Sequence, residues 1–192
     1  MKAFAFSALV AGAVAALVVA GSRVDASSLE TVETQNVKAP NFSLKTADGK
    51  AHTLESLTKD ADEVVFYFIG HTCPINTKAY PYVHQFANTA NGKKVKFVGI
   101  LDGGKAETEA WTKKSGAKYP ILMDAEKNTI AAFGAQRSPW FVVVDKKGNV
   151  VHADKGYSAD QLKSLSDRIS KVEGKTAPTL KLEGAPTRLT YG

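Results

Sequence analysis

Between Glu63 and Ile69 the chain sets Val64-Val65-Phe66-Tyr67-Phe68 in unbroken succession. β-Branched and aromatic side chains suit a pleated backbone, and an apolar run this short reads as a strand covered on both faces. The run ends at Gly70. Pro74 suits the first turn of a helix, and Tyr80, Val83, His84, Phe86 and Ala87 recur at helical spacing until Asn91-Gly92 stops them. Lys94 to Leu101 repeats the strand pattern, and Lys105 to Ser115, with Ala106, Ala110 and Trp111, repeats the helical one. Pro120 to Met123 reads as a short extended piece and Asn128 to Phe133 as a short helix. Trp140 to Asp145 is another apolar strand, turned by Lys146-Lys147-Gly148-Asn149 into a hairpin partner at Val150 to Ala153. Ser158 then caps a helix with Leu162, Leu165 and Ile169 on one face. Upstream, Phe42-Ser43-Leu44, the turn Ala47-Asp48-Gly49-Lys50 and Thr53-Leu54 form a small hairpin. Strands linked by helices and closed by a hairpin and a helix describe an α/β layered sheet.

The ends of the chain read differently. Lys2, the apolar run from Ala3 to Ala20 and the small residues before Ser27 form a signal-peptide pattern over residues 1–26, with cleavage expected ahead of Ser27. The run also approaches the roughly 20 residues that cross a bilayer, so an uncleaved membrane anchor is the alternative. Residues 27–38 are polar and lack periodicity, which suggests a flexible lead-in to a domain over 39–174. Residues 175–192, bearing Pro, Thr and Gly, read as a loose tail. Without the leader, 23 basic residues face 18 acidic ones, a charge of +5. The lysines are interleaved with acidic residues and form no basic stripe, so nucleic acid is not an expected partner, and the membrane matters only for export. The leader implies a periplasmic or secreted location, where disulfides normally form, yet the chain has a single cysteine, Cys73. A lone cysteine in an exported protein suggests intermolecular pairing or a free reactive thiol; a buried, inert cysteine is the alternative.

His71-Thr72-Cys73-Pro74 falls where a strand ends and a helix begins. Unpaired backbone N–H groups and the helix dipole favour a thiolate there, and the thiolate is the nucleophile. His71 would add charge or exchange protons, or else is an ordinary loop histidine. The second candidate element is Arg137-Ser138-Pro139-Trp140, directly before the apolar strand. Pro139 is either a cis proline in a tight turn or a trans proline opening an edge strand. Arg137 would steady a thiolate if this loop faces Cys73; otherwise it is a solvated loop residue.

Three segments in the same order resemble the redoxin and peroxiredoxin-like (AhpC/TSA-like) branch of the thioredoxin superfamily. They are Ala39-Pro40-Asn41-Phe42-Ser43-Leu44 with Asp48-Gly49-Lys50, Phe68-Ile69-Gly70-His71-Thr72-Cys73-Pro74-Ile75-Asn76 through Tyr80-Pro81, and Gly134-Ala135-Gln136-Arg137-Ser138-Pro139 with Phe141-Val142-Val143-Val144-Asp145 and Gly148. The resemblance spans about Ala39 to Val172. It implies a thioredoxin fold, a central mixed sheet flanked by helices with an N-terminal hairpin extension, and a cis Pro139 facing a reactive Cys73. Two departures qualify the function. Dithiol thioredoxins carry a second cysteine three residues after the first, where this chain has Asn76. Typical peroxiredoxins carry Thr or Ser three residues before the cysteine and Pro four before that, where this chain has Gly70 and Phe66. Thr72 offers a hydroxyl at a different position, so peroxidase activity is not implied.

The leading expectation is a monothiol thiol-disulfide oxidoreductase or thiol-dependent antioxidant. Cys73, Pro139, Thr72 and Arg137 form its site, no cofactor or metal takes part, a protein thiol or disulfide is the expected substrate, and an external thiol or thioredoxin-like reductant resolves the mixed disulfide or sulfenic acid formed on Cys73. A non-catalytic binding module with the same fold is the rival. A copper site built from Cys73 with His71 or His84 is a weaker third.

Overall fold

The computed structural model describes residues 37–88, 90 and 93–192; the expected leader, residues 27–36 of the lead-in and the Asn91-Gly92 helix stop lie outside them. The elements run β1 (Val37–Lys38), β2 (Ser43–Thr46), β3 (Ala51–Thr53), α1 (Leu54–Thr58), β4 (Glu63–Ile69), α2 (Pro74–Ala87), β5 (Val95–Leu101), α3 (Lys105–Ser115), β6 (Ile121–Met123), α4 (Asn128–Ala132), β7 (Trp140–Asp145), β8 (Asn149–Lys155) and α5 (Ala159–Glu173). The strands form one mixed sheet in the order β1-β8-β7-β4-β5-β6-β2-β3.

The apolar run that opened the sequence argument is the centre of this sheet. β4 lies parallel to β5 from Glu63 opposite Val95 to Ile69 opposite Leu101, and antiparallel to β7 from Glu63 opposite Asp145 to Phe68 opposite Trp140. Its side chains alternate between two cores, as the period of a strand requires. Val65, Tyr67 and Ile69 face Val83 and Phe86 of α2, Leu162, Leu165 and Ile169 of α5, and Trp111 of α3. Val64, Phe66 and Phe68 face Leu54 and Leu57 of α1, with Phe42 and Phe133 packed against them. The result is the α/β architecture expected from the chain, with the β2–β3 hairpin added to the sheet through antiparallel pairing of β2 with β6.

Three local expectations need correction. The last two lead-in residues are not free: β1 pairs with β8 through Val37–Val150 and Lys38–Asn149, a ladder too short to leave a periodic pattern. Thr53 does close the hairpin, but Leu54 opens α1 rather than continuing a strand. The Thr53 Oγ1 accepts from the Ser56 amide at 3.1 Å and the Ser56 Oγ accepts from the Thr53 amide at 2.9 Å, a reciprocal cap that starts this short helix.

The segment 175–192 is not loose. After Gly174 ends α5 in the left-handed region at φ 69°, the chain turns back over α2 and α5. The Lys181 backbone and the Gln85 side chain exchange hydrogen bonds of 2.6 and 2.9 Å, and the Tyr82 hydroxyl donates to the Glu183 carbonyl at 3.1 Å. Leu180 and Leu182 pack on the first core. These partners are remote in sequence and largely involve backbone groups, so no local periodicity announces them.

Phe66 is fully buried, its ring centroid 5.6 Å from that of Phe42 and 5.7 Å from that of Phe133. Phe66→Ala is expected to lower the unfolding free energy by about 3–5 kcal/mol in a urea titration. Val37→Ala, at an edge position 58% exposed, should stay within about 0.5 kcal/mol.

Candidate functional site

Because β4 and β7 are antiparallel, the loop that leaves β4 and the loop that enters β7 meet at the same end of the sheet. Cys73 stands on the first as the residue before α2, with an extended backbone (φ −71°, ψ 118°) and Pro74 opening the helix behind it. The cysteine amide donates to the Gly70 carbonyl at 3.0 Å, which ties the loop to the strand end. Across the gap, Ser138-Pro139 is a cis peptide bond, as the resemblance implies. The Cys73 Sγ lies 3.8 Å from the Ser138 carbonyl oxygen, so the thiol faces this loop although the two residues are 65 apart in sequence.

A cleft of about 430 Å³ opens there, lined among others by Thr72, Cys73, Asp102, Lys127, Arg137 and Ser138. Cys73 is half-buried, and Thr72 and Arg137 are exposed at the rim. Pro139 is buried behind the cleft, and its carbonyl accepts from the Gly156 amide at 2.7 Å. All four expected site residues therefore gather at one end of the sheet. The guanidinium of Arg137 is directed elsewhere than expected: it lies over the Tyr191 ring, 4.7 Å from the centroid.

Asn76, where a dithiol protein would carry its second cysteine, is fully buried. Its Oδ1 accepts from the Tyr67 hydroxyl at 2.7 Å, and its Nδ2 donates to the Gly70 carbonyl at 3.5 Å. Burial pushes the Tyr67 phenol well above its ordinary range, so it remains a protonated donor. The amide thus does structural work at the root of α2, and the inward polar contact is hidden from any pattern based on hydrophobic period. Gly70 has an equally local reason. A Cβ there would lie 2.7 Å from the Ser138 Oγ and 3.1 Å from the Cys73 Cβ, so a hydroxyl residue at this position requires the Ser138 side chain to turn and the Cys73 loop to shift by a few tenths of an ångström.

Two residues of the cleft were missed in the sequence. Asp102 follows β5 directly, and its Oδ1 accepts from the backbone amide and lies against the Nδ1 of His71, at 2.7 Å each. The Lys127 Nζ is 3.7 Å from the other Asp102 oxygen. His71 is thereby held by a carboxylate at the rim of the cleft. The carboxyl ends of parallel strands are where open α/β sheets gather their functional groups, and that rule would have singled out Asp102. The copper reading gains nothing here: the His84 Nε2 lies 3.0 Å from the Tyr119 hydroxyl, burial lowers the imidazole below its usual range, and among the described residues no group of three or more His, Cys, Asp or Glu is placed to hold a metal.

A mixed sheet with helices on both faces, a cysteine at a helix start and a cis proline opposite it define a protein of the thioredoxin fold. The Redoxin family model matches residues 34–169, well over half of the chain, and the chain belongs to that family. Among curated proteins it is 26% identical over 115 residues to the thiol-disulfide oxidoreductase ResA of Bacillus thuringiensis (strain Al Hakam), covering 59% of this chain and 65% of that one. The chain thus spans about 65% of that relative's length. Among solved structures, dsbF of MTB, in its mixed oxidized and reduced forms, aligns with a TM-score of 0.58 and 28% identity over 68% of this chain and 94% of that one. A secreted Mycobacterium tuberculosis disulfide oxidoreductase homologous to E. coli DsbE aligns with a TM-score of 0.56 and 21% identity, over 68% and 95%, and shares the fold.

Asn76→Ala would strand the Tyr67 hydroxyl in the core, and an unpaired buried donor costs about 1–3 kcal/mol. The expected outcome is a loss of that size in denaturant unfolding, and Asn76→Ala combined with Tyr67→Phe should recover most of it.

Proposed function

We propose that the chain is an exported monothiol thiol-disulfide oxidoreductase in which Cys73 is the nucleophile. The observation that carries this reading is the Cys73 sulfur at the start of α2, facing the Ser138-Pro139 loop across a cleft open to solvent, with the second-cysteine position filled by buried Asn76. The place of Cys73 directly before Pro74 puts the sulfur at the positive end of the α2 dipole. The oxidoreductase names carried by the B. thuringiensis relative and by the M. tuberculosis structure support the same chemistry.

In the reaction the Cys73 thiolate attacks one sulfur of a substrate disulfide. A Cys73 mixed disulfide forms as the substrate S–S bond breaks, and the second sulfur leaves as a thiolate that takes a proton from water. With no internal partner, an external thiolate attacks the Cys73 sulfur of the mixed disulfide and frees the remaining substrate sulfur as a thiolate; a second external thiolate then attacks the external sulfur now bound to Cys73, forming the external disulfide and releasing Cys73 as thiolate. Net, one substrate disulfide is reduced to two thiols and two external thiols are oxidised to one disulfide. The external partner is a small thiol or a thioredoxin-like reductant, and the substrate is a protein disulfide. Thr72 and Arg137 line the rim of the cleft and act on how the partner docks; Pro139, behind the cleft, shapes the loop that carries Ser138. The family carries no cofactor in this scheme, and the dispersed lysines give no ground for a nucleic-acid partner. Export, to the periplasm or beyond, rests on the leader at residues 1–26. Among the described residues no helix is long and apolar enough to cross a membrane.

Turnover of a disulfide-containing peptide with reduced glutathione as electron source tests the proposal. The parent chain should accelerate the reaction and Cys73→Ser should return it to the uncatalysed rate, while Thr72→Ala and Arg137→Ala retain part of it. A parent chain no faster than Cys73→Ser would favour the non-catalytic binding module.

A further inference from the structure

One wall of the cleft beside Cys73 is built by the chain's own segment, with Gly192 lining it. Thr190 and Tyr157 exchange backbone hydrogen bonds of 2.9 Å in an antiparallel bridge, and two residues on, Gly192 donates to the Ser138 carbonyl at 2.8 Å and accepts from the Ser138 amide at 3.0 Å. Both backbone groups of Ser138 are thus taken by an extended segment laid along the loop that faces the thiol. Between these anchor points the Tyr191 ring lies under the Arg137 guanidinium. The fit at the sulfur is close: a Cβ on Gly192 would lie 2.8 Å from the Cys73 Sγ and 3.1 Å from the Ile75 Cγ1. The fit at the other anchor is closer still. Gly156, at φ +92°, passes so near that a Cβ there would lie 2.5 Å from the Thr190 carbonyl oxygen.

We propose that Thr190-Tyr191-Gly192 is a built-in occupant of the Ser138 side of this cleft, held there by its backbone pairing with Tyr157 and Ser138 and by Tyr191 on Arg137, and covering the Cys73 sulfur until a partner displaces it. The inference rests on the proposed thiol chemistry only for the consequence that a disulfide substrate must compete with the segment. The occupancy itself stands on the backbone pairing. The anchoring is strand addition, in which main-chain hydrogen bonds supply affinity and the facing side-chain sites supply selectivity. Among the described residues, Thr190 to Gly192 are held by backbone pairing with Tyr157 and Ser138 and by the Arg137 contact, and none of the three belongs to either core, so their release is local.

The test is the rate at which iodoacetamide alkylates Cys73 in the full chain and in Thr190→Pro, which removes the amide that donates to Tyr157. A segment seated about 90% of the time leaves about a tenth of the thiol competent, so Thr190→Pro is expected to react about tenfold faster. Added peptide of sequence Pro-Thr-Arg-Leu-Thr-Tyr-Gly should slow the variant again, and the same residues in scrambled order should not. Equal rates in parent and variant would overturn the proposal.

Should Thr190→Pro unfold, Gly192→Cys decides instead. With oxidised glutathione, the introduced thiol and Cys73 should join within one chain, each losing a proton while two electrons pass to the glutathione disulfide and give two reduced glutathiones. Dimers or glutathione adducts in place of that internal bond would overturn the placement. Alkylation requires no disulfide exchange, so the two readings fail separately. Faster alkylation without peptide-disulfide turnover removes the oxidoreductase, and turnover with unchanged alkylation removes the occupant.

Discussion

The antiparallel pairing of β4 with β7 brings together two loops that are 65 residues apart at Cys73 and Ser138. Neither loop holds a reactive geometry alone. The register that sets Phe68 opposite Trp140 makes the end of one strand coincide with the start of the other, so the thiol emerges next to the proline loop. A slip of one residue would exchange the two faces of β4, turning Phe66 and Phe68 out of one core and Tyr67 into it. Register, core and site are therefore specified by the same alternation. The parallel pairing of β4 with β5 adds the third side, where Asp102 takes hold of His71.

The layers were legible in the sequence because burial on both faces leaves an uninterrupted apolar run, and helices that cover a sheet leave a stripe. Cys73 and the Arg137-Ser138-Pro139 turn were legible for a different reason: each interrupts an apolar pattern at the end of an element. What stayed hidden was polar and long-range. Asn76 reads as one more residue of an amphipathic helix until its amide is seen bonded to Tyr67, and Asp102 reads as a residue of a turn until it is seen bonded to His71. The segment 175–192 was hidden for the same reason, since backbone pairing with Tyr157 and Ser138 depends on where the chain lies and hardly on which residues it contains.

The departures from related patterns have local physical causes that agree with one another. Gly70 leaves room for the Ser138 and Cys73 side chains, both of which a Cβ there would crowd. Asn76 uses the position of a second sulfur to satisfy Tyr67 and the Gly70 carbonyl. Asn76 is bonded at the root of α2 and Gly70 lies between the two loops, and the chain's single cysteine has no covalent partner of its own. Under the proposed function, a thiol in that setting depends on what enters the cleft, both for the disulfide it attacks and for the thiol that frees it.

Intact-mass spectrometry of the folded chain, first with oxidised and then with reduced glutathione, tests that dependence most directly. The account expects one glutathione on Cys73, stable on removal of excess reagent and lost only when the external thiol is added. A folded chain that takes up no glutathione, while the urea-unfolded chain does, would contradict it and leave Cys73 as a packing residue in a binding cleft.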